Sequence, residues 1–178
     1  MKVLLIALNA SYTHTNLAVR TLAASLRRAG HEAGVYESTV NQSIGRHMAG
    51  IAAGEWDAAA FSCYIWNIEI VAKLTARLAI VYPERSILWG GPEVSFDAVR
   101  WMAQNPGAAY ILRGEGERTL PELITRQENR QSMTGLSGIA YRDGERIVDQ
   151  GLARPVPMDD IPFPYEGGGE TVKDRLLY

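Results

Sequence analysis

The stretch that decides the fold is KVLLIALNASYTHTNLAVRTLAASLRRAG, residues 2–30. Its opening run, KVLLIAL, has the length of a strand and no polar alternation. Such a run belongs to a strand covered on both faces, as in a parallel sheet. Leu22, Leu26 and Ala29 then recur on one helical face, and Gly30 supplies a C-terminal stop. Strand, polar loop and amphipathic helix in succession open a βαβ unit. The loop is unusual: it holds Asn9, Ser11, Tyr12, Thr13, His14, Thr15 and Asn16. Capping by Thr15 or Asn16 accounts for one or two of these side chains, not for all of them.

Outward from this unit the same alternation continues. Residues 31–37, 57–64, 85–92 and 108–117 read as further strands. Residues 42–53, 67–83, 94–103 and 120–127 read as helices, the first of them weakened by Gly45 and Gly50. In the strongest, Ile70, Leu74, Leu78 and Val81 recur at helical spacing. Five strands with intervening helices predict an α/β doubly wound, mainly parallel, Rossmann-like sheet. A flavodoxin-like order 2-1-3-4-5 is favoured, because no second mononucleotide-binding half is visible. After about residue 131 the character changes. Two short strand-like runs flank Asp143-Gly144, a hairpin signal. ARPVPMDDIPFPYEGG, residues 153–168, reads as an extended linker. The expected division is a domain over 1–130, then a hairpin and linker over 131–178 leading towards another domain.

Composition narrows the function classes. With 178 residues, 47% of them hydrophobic and 21% charged, the chain can bury one full core. A net charge of -2 without a Lys/Arg stripe argues against nucleic acid. The lone Cys63 excludes an internal disulfide and an all-cysteine metal site. No apolar run reaches the ~18 residues of a membrane span, so a cytoplasmic protein is the expectation.

In a doubly wound sheet, ligands bind at the carboxyl ends of the strands, at the topological switch point. Here that point lies between strands 1 and 3. The loops that meet there contain Asn9 to Asn16, then Ser62, Tyr64 and Asn67, then Gly90, Gly91, Pro92 and Glu93, then Gly114, Glu115 and Gly116. Each group has a plain reading beside the functional one. Gly90-Gly91 suits a tight strand-to-helix turn or a backbone passed closely by a ligand. Ser62 suits a helix cap or a hydroxyl on a crevice floor. Cys63 suits a small buried packing residue. The hydroxyls of the first loop, near a helix N-terminus, also suit an anion, which keeps a flavodoxin-like FMN or nucleotide site open. A dinucleotide fingerprint after strand 1, a Walker motif and a nucleophile elbow are all missing.

Taken together, LNASYTHTNLAVRTL, FSCYIWN, ILWGGPEVS, ILRGEGERTL and MDDIPFPY resemble the N-terminal cobalamin-binding domain of cobalamin-dependent radical S-adenosylmethionine enzymes. A related signature in methionine synthase and the mutases is D-x-H-x-x-G, then S-x-L, then G-G. Ser62-Cys63-Tyr64 stands at its middle element and Gly90-Gly91 at its last. His14 holds the place of the histidine, while Tyr12 and Leu17 replace the aspartate and glycine. The resemblance therefore makes His14 the candidate lower ligand of cobalt, beside base-off binding with no histidine on the metal. It implies that cobalamin's nucleotide tail passes Ser62 and Gly90-Gly91, and that Gly91→Val would block it without disturbing the fold. S-adenosylmethionine and a [4Fe-4S] cluster are expected in a separate radical domain, the partner of this one, with methyl transfer or related radical chemistry in the parent protein. This chain alone is expected to bind and not to catalyse. A cofactor-free interaction domain of the same fold is the remaining alternative.

Overall fold

A computed structural model of the chain describes residues 1–11 and 15–164. Tyr12, Thr13 and His14 lie outside the described residues, so the cobalt-ligand expectation for His14 has no structural counterpart here. The elements alternate: β1 (Lys2–Asn9), α1 (Leu17–Arg28), β2 (Glu32–Thr39), α2 (Ile44–Ala52), β3 (Ala58–Ser62), α3 (Ile68–Val81), β4 (Ser86–Gly90), α4 (Pro92–Ser95), α5 (Ala98–Gln104), β5 (Tyr110–Leu112), α6 (Gly116–Glu128), β6 (Ile139–Asp143) and β7 (Arg146–Asp149).

The first five strands run parallel in the order 2-1-3-4-5, as the sequence implies. The sheet nevertheless has seven strands, not five. The hairpin β6–β7 does not stand apart: β6 pairs antiparallel with β5, placing Leu112 opposite Ile139. Ile139 and Ala140 are completely buried there.

Strand alternation sorts the core into two layers. On one face Val3, Leu5, Ala7, Ala58, Ala60, Leu88 and Leu112 meet Val19, Ala23 and Leu26 of α1 and Leu120, Leu123 and Ile124 of α6. On the other, Ile6, Leu8, Phe61, Ile87, Trp89 and Ile111 meet α2, α3 and α5 through Ile51, Leu74, Leu78 and Met102. The indole of Trp89 donates to Thr75 Oγ1 at 2.8 Å, so the largest buried side chain leaves no polar atom unsatisfied.

Three further expectations change. The fifth strand is only Tyr110–Leu112, because Gly114 takes φ +85 and α6 begins at Gly116. The helix expected over 94–103 is two, α4 and α5, separated at Asp97 (φ -127). The first part of the expected linker is docked: Ala153 N–H donates to Arg113 O at 2.9 Å, and Arg28 donates to Asp160 O at 2.5 Å.

A cleft at the carboxyl ends of the strands

The two faces of the sheet differ where the strands end. On the α2–α3–α5 face the last positions of β1, β3 and β4 carry Leu8, Phe61 and Trp89, all buried. On the α1–α6 face the neighbouring positions carry Ala7, Ser62 and Gly90, which are register partners across the three strands. One layer is filled to the rim and the other has a bare floor. Above Ser62 and Gly90 lies a cleft of about 560 Å³. Leu5, Ala60, Ser62, Gly90 and Leu112 form its base; Val19 and Leu22 of α1 and Leu120 of α6 form its sides. A space of this size with so few polar groups at its base suits an organic ligand, not a hydrated ion.

One polar anchor reaches the floor. Asn16 Nδ2 donates to Ser62 Oγ at 3.2 Å, while Asn16 Oδ1 accepts from Val19 N–H as the cap of α1. Both ends of the first loop are held from β2. Glu37 Oε1 accepts from Asn9 Nδ2 at 2.8 Å and from Asn16 N–H at 2.7 Å, and its other oxygen pairs with Arg20 at 3.1 Å. The sequence offered no acid close to this loop; parallel pairing supplies one by setting Ala7 beside Glu37.

The sequence model of the B12 binding domain matches residues 3–124, from β1 into α6. The chain belongs to the B12-binding domain family. This bears out the resemblance read from the loop motifs. Over 130 residues the chain is 30% identical to the cobalamin-dependent radical SAM methyltransferase TokK of Streptomyces tokunonensis, covering 69% of this chain and 19% of that protein. Over 103 residues it is 33% identical to the anaerobic magnesium-protoporphyrin IX monomethyl ester cyclase of Synechocystis sp., covering 58% of this chain and 20% of that protein. The chain thus spans about a fifth of the length of these curated relatives. Among solved structures, it shares its fold with the cobalamin-dependent S-adenosylmethionine radical enzyme OxsB, at TM-score 0.73 and 21% identity over 87% of this chain and 22% of that one. The methyltransferase TsrM from Kitasatospora setae matches at TM-score 0.69 and 18% identity, over 86% of this chain and 30% of that one.

Within this B12-binding domain the expected site residues part company. Ser62, Tyr64, Gly90, Gly91, Pro92, Gly114, Glu115 and Gly116 all line the cleft. Asn67 does not: it is buried, its Nδ2 donates to Leu8 O at 3.1 Å and Ser62 O at 2.9 Å, and its Oδ1 accepts from Tyr64 N–H. It ties the β3–α3 turn to β1. Glu93 stands outside the cleft lining, and its carbonyl accepts from Trp101 Nε1. Asn9 is buried against Glu37, Ser11 is half-buried, and Thr15 is exposed. Cys63 is a packing residue: it is fully buried, and burial pushes its thiol far above the ordinary range.

Ser95, Trp66 and the residues after β7 had no sequence signal strong enough to single them out. Ser95 Oγ donates to Gly91 O and accepts from Gly114 N–H, joining the two glycine turns. Tyr64 stacks on Trp66 with ring centroids 4.4 Å apart, making an aromatic shelf beside the cleft. Both aromatics stand in the quoted FSCYIWN, two apart, and that spacing in a turn is the one hint the sequence held. Leu152, Ala153 and Pro155 close the outer side. Among the described residues no group of three or more His, Cys, Asp or Glu side chains is placed to hold a metal, and no helix is long and apolar enough to cross a membrane.

Proposed function

We infer that this B12-binding domain holds cobalamin with its nucleotide tail released from cobalt, as the cofactor module of a radical S-adenosylmethionine enzyme that transfers methyl groups. The observation that carries this reading is the one-sided floor of Ser62 and Gly90, continued by Leu5, Ala60 and Leu112, beneath a 560 Å³ cleft. The cleft opens at the carboxyl ends of the strands, where doubly wound folds hold their ligands. The residues fit the group. Ser62 and the bare backbone of Gly90 let the tail lie against the sheet, and Val19, Leu22 and Leu120 enclose its apolar part. Asn9 and Asn16, both held by Glu37, and the Tyr64–Trp66 shelf face the corrin. Bound cobalamin supplies a cobalt centre able to carry a methyl group; the protein supplies position and keeps water out.

Relatives about five times as long, one of them a cobalamin-dependent radical SAM methyltransferase by name, support a parent chain with a separate radical domain. That domain would hold S-adenosylmethionine and the [4Fe-4S] cluster, since one cysteine cannot supply three cluster ligands. It would be the partner of this one, in the cytoplasm.

The test is direct. Hydroxocobalamin mixed with the chain at tens of micromolar is expected to shift to a base-off spectrum and co-elute on gel filtration, while FMN elutes free. Cobalamin eluting separately with an unchanged spectrum would overturn the reading.

A further inference from the structure

The family match ends at residue 124, yet the cleft has a wall made from later residues. After β7 the chain turns back across the β5–α6 turn, and its fastening is continuous. Gln150 N–H donates to Ile139 O at 2.9 Å. Arg113 N–H donates to Gly138 O at 2.8 Å, and Ala153 N–H donates to Arg113 O at 2.9 Å. Val156 N–H donates to the carboxylate of Glu115 at 2.5 Å. Further on, Asp160 receives Arg28 on its carbonyl and Arg118 on its carboxylate. Small residues allow the close approach: a Cβ at Gly138 would stand 2.7 Å from the Cβ of Ala153.

This strap presents Leu152, Ala153 and Pro155 to the cleft. Leu152 remains 51% exposed although its neighbours are firmly held. A large apolar side chain fixed at the mouth of an apolar cleft gains most when a ligand covers it.

We propose that the strap over residues 150–156, outside the family-matched region, is the outer wall of the nucleotide-tail pocket, with Leu152 and Pro155 against the tail and Glu115 as the clasp. This rests on the cobalamin reading above. It makes Glu115 a positioning residue: it acts on the tail through the backbone of Val156. It also adds to the selectivity that the sheet floor provides for corrinoids that carry a nucleotide tail over those that lack one.

The experiment titrates the chain with hydroxocobalamin and with cobinamide, which has the corrin but no tail. Leu152→Asp places a charge in the apolar wall and is expected to weaken cobalamin by about tenfold or more, with cobinamide unchanged within about twofold. Leu152 is half exposed, so the fold is retained. Glu115→Ala is expected to act in the same direction, and Glu115→Gln, which still offers an oxygen to Val156 N–H, to restore affinity. Cobalamin affinity unchanged in both Leu152→Asp and Glu115→Ala would overturn the strap's role. So would equal losses for cobalamin and cobinamide. A wild-type chain that binds the two corrinoids equally, or neither, would instead remove the tail-pocket reading and the strap with it.

Discussion

Gly90 and Gly91 are adjacent, but a side chain at each would meet different surroundings. At Gly90 an added Cβ points over the cleft and touches only Leu112, at 3.5 Å. At Gly91 it would lie 2.5 Å from the carbonyl oxygen of Cys63, on a backbone with φ +109. The expectation that Gly91→Val spares the fold is therefore corrected. Backbone strain alone costs about 1–3 kcal/mol there, and the clash adds to it. Gly90→Val, by contrast, is expected to keep the melting temperature within a few degrees and to lower cobalamin affinity by about tenfold or more, since a branched side chain then occupies the cleft floor. Thermal melts and cobalamin titrations of both variants separate the roles; a Gly90→Val chain with native affinity would place the ligand elsewhere. A sequence cannot tell these two glycines apart, because the difference lies in a backbone dihedral and in a carbonyl almost thirty positions away. Glu37 was hidden for the same reason: only the pairing of β1 with β2 brings it to the first loop.

At the scale of elements, β5 is the weak point of the sheet. It has three residues, and one of its two neighbours is β6. A chain cut after residue 130 loses Leu136, Ile139 and Ala140 from the core and leaves Ile111 and Leu112 on an open edge. Burial of each large aliphatic side chain contributes about 1.5–3 kcal/mol, against a total domain stability of about 5–15 kcal/mol. Residues 1–130 alone are expected to lose cooperative unfolding and to aggregate through that edge, whereas residues 1–164 melt in one transition. A sharp, reversible melt of the shorter fragment at the same temperature would show that the hairpin is dispensable. The hairpin itself was legible, because Asp143-Gly144 between two short apolar runs is a local signal. Its attachment was not, because nothing in the runs names the strand they pair with. The same holds for the docked strap, whose prolines describe an extended chain without saying where it lies.

The whole molecule is two layers about one sheet, filled to different depths, and that asymmetry says where a ligand acts. The parallel order was readable because the crossover rules leave few ways to connect such a pattern; the unequal filling was not, since it depends on which of Phe61 or Ser62, and of Trp89 or Gly90, faces which helices. A ligand that binds the folded chain at a hundred times its dissociation constant adds about 2.7 kcal/mol of stability. For a chain of this length each kcal/mol moves the melting point by about 2–4 °C, so saturating cobalamin should raise it by roughly 5–10 °C. The added protection should be lopsided. Amides of α1, α6, the strap and the carboxyl ends of β1, β3 and β4 are expected to exchange more slowly with cobalamin present. Those of α3, packed on the filled face through Val71, Leu74 and Leu78, are expected to open only with the whole domain and to slow only by the global increment. Hydrogen exchange with and without cobalamin reads this residue by residue. A gain centred on α3, or an equal gain everywhere, would mean that the bare floor is not where the cofactor rests.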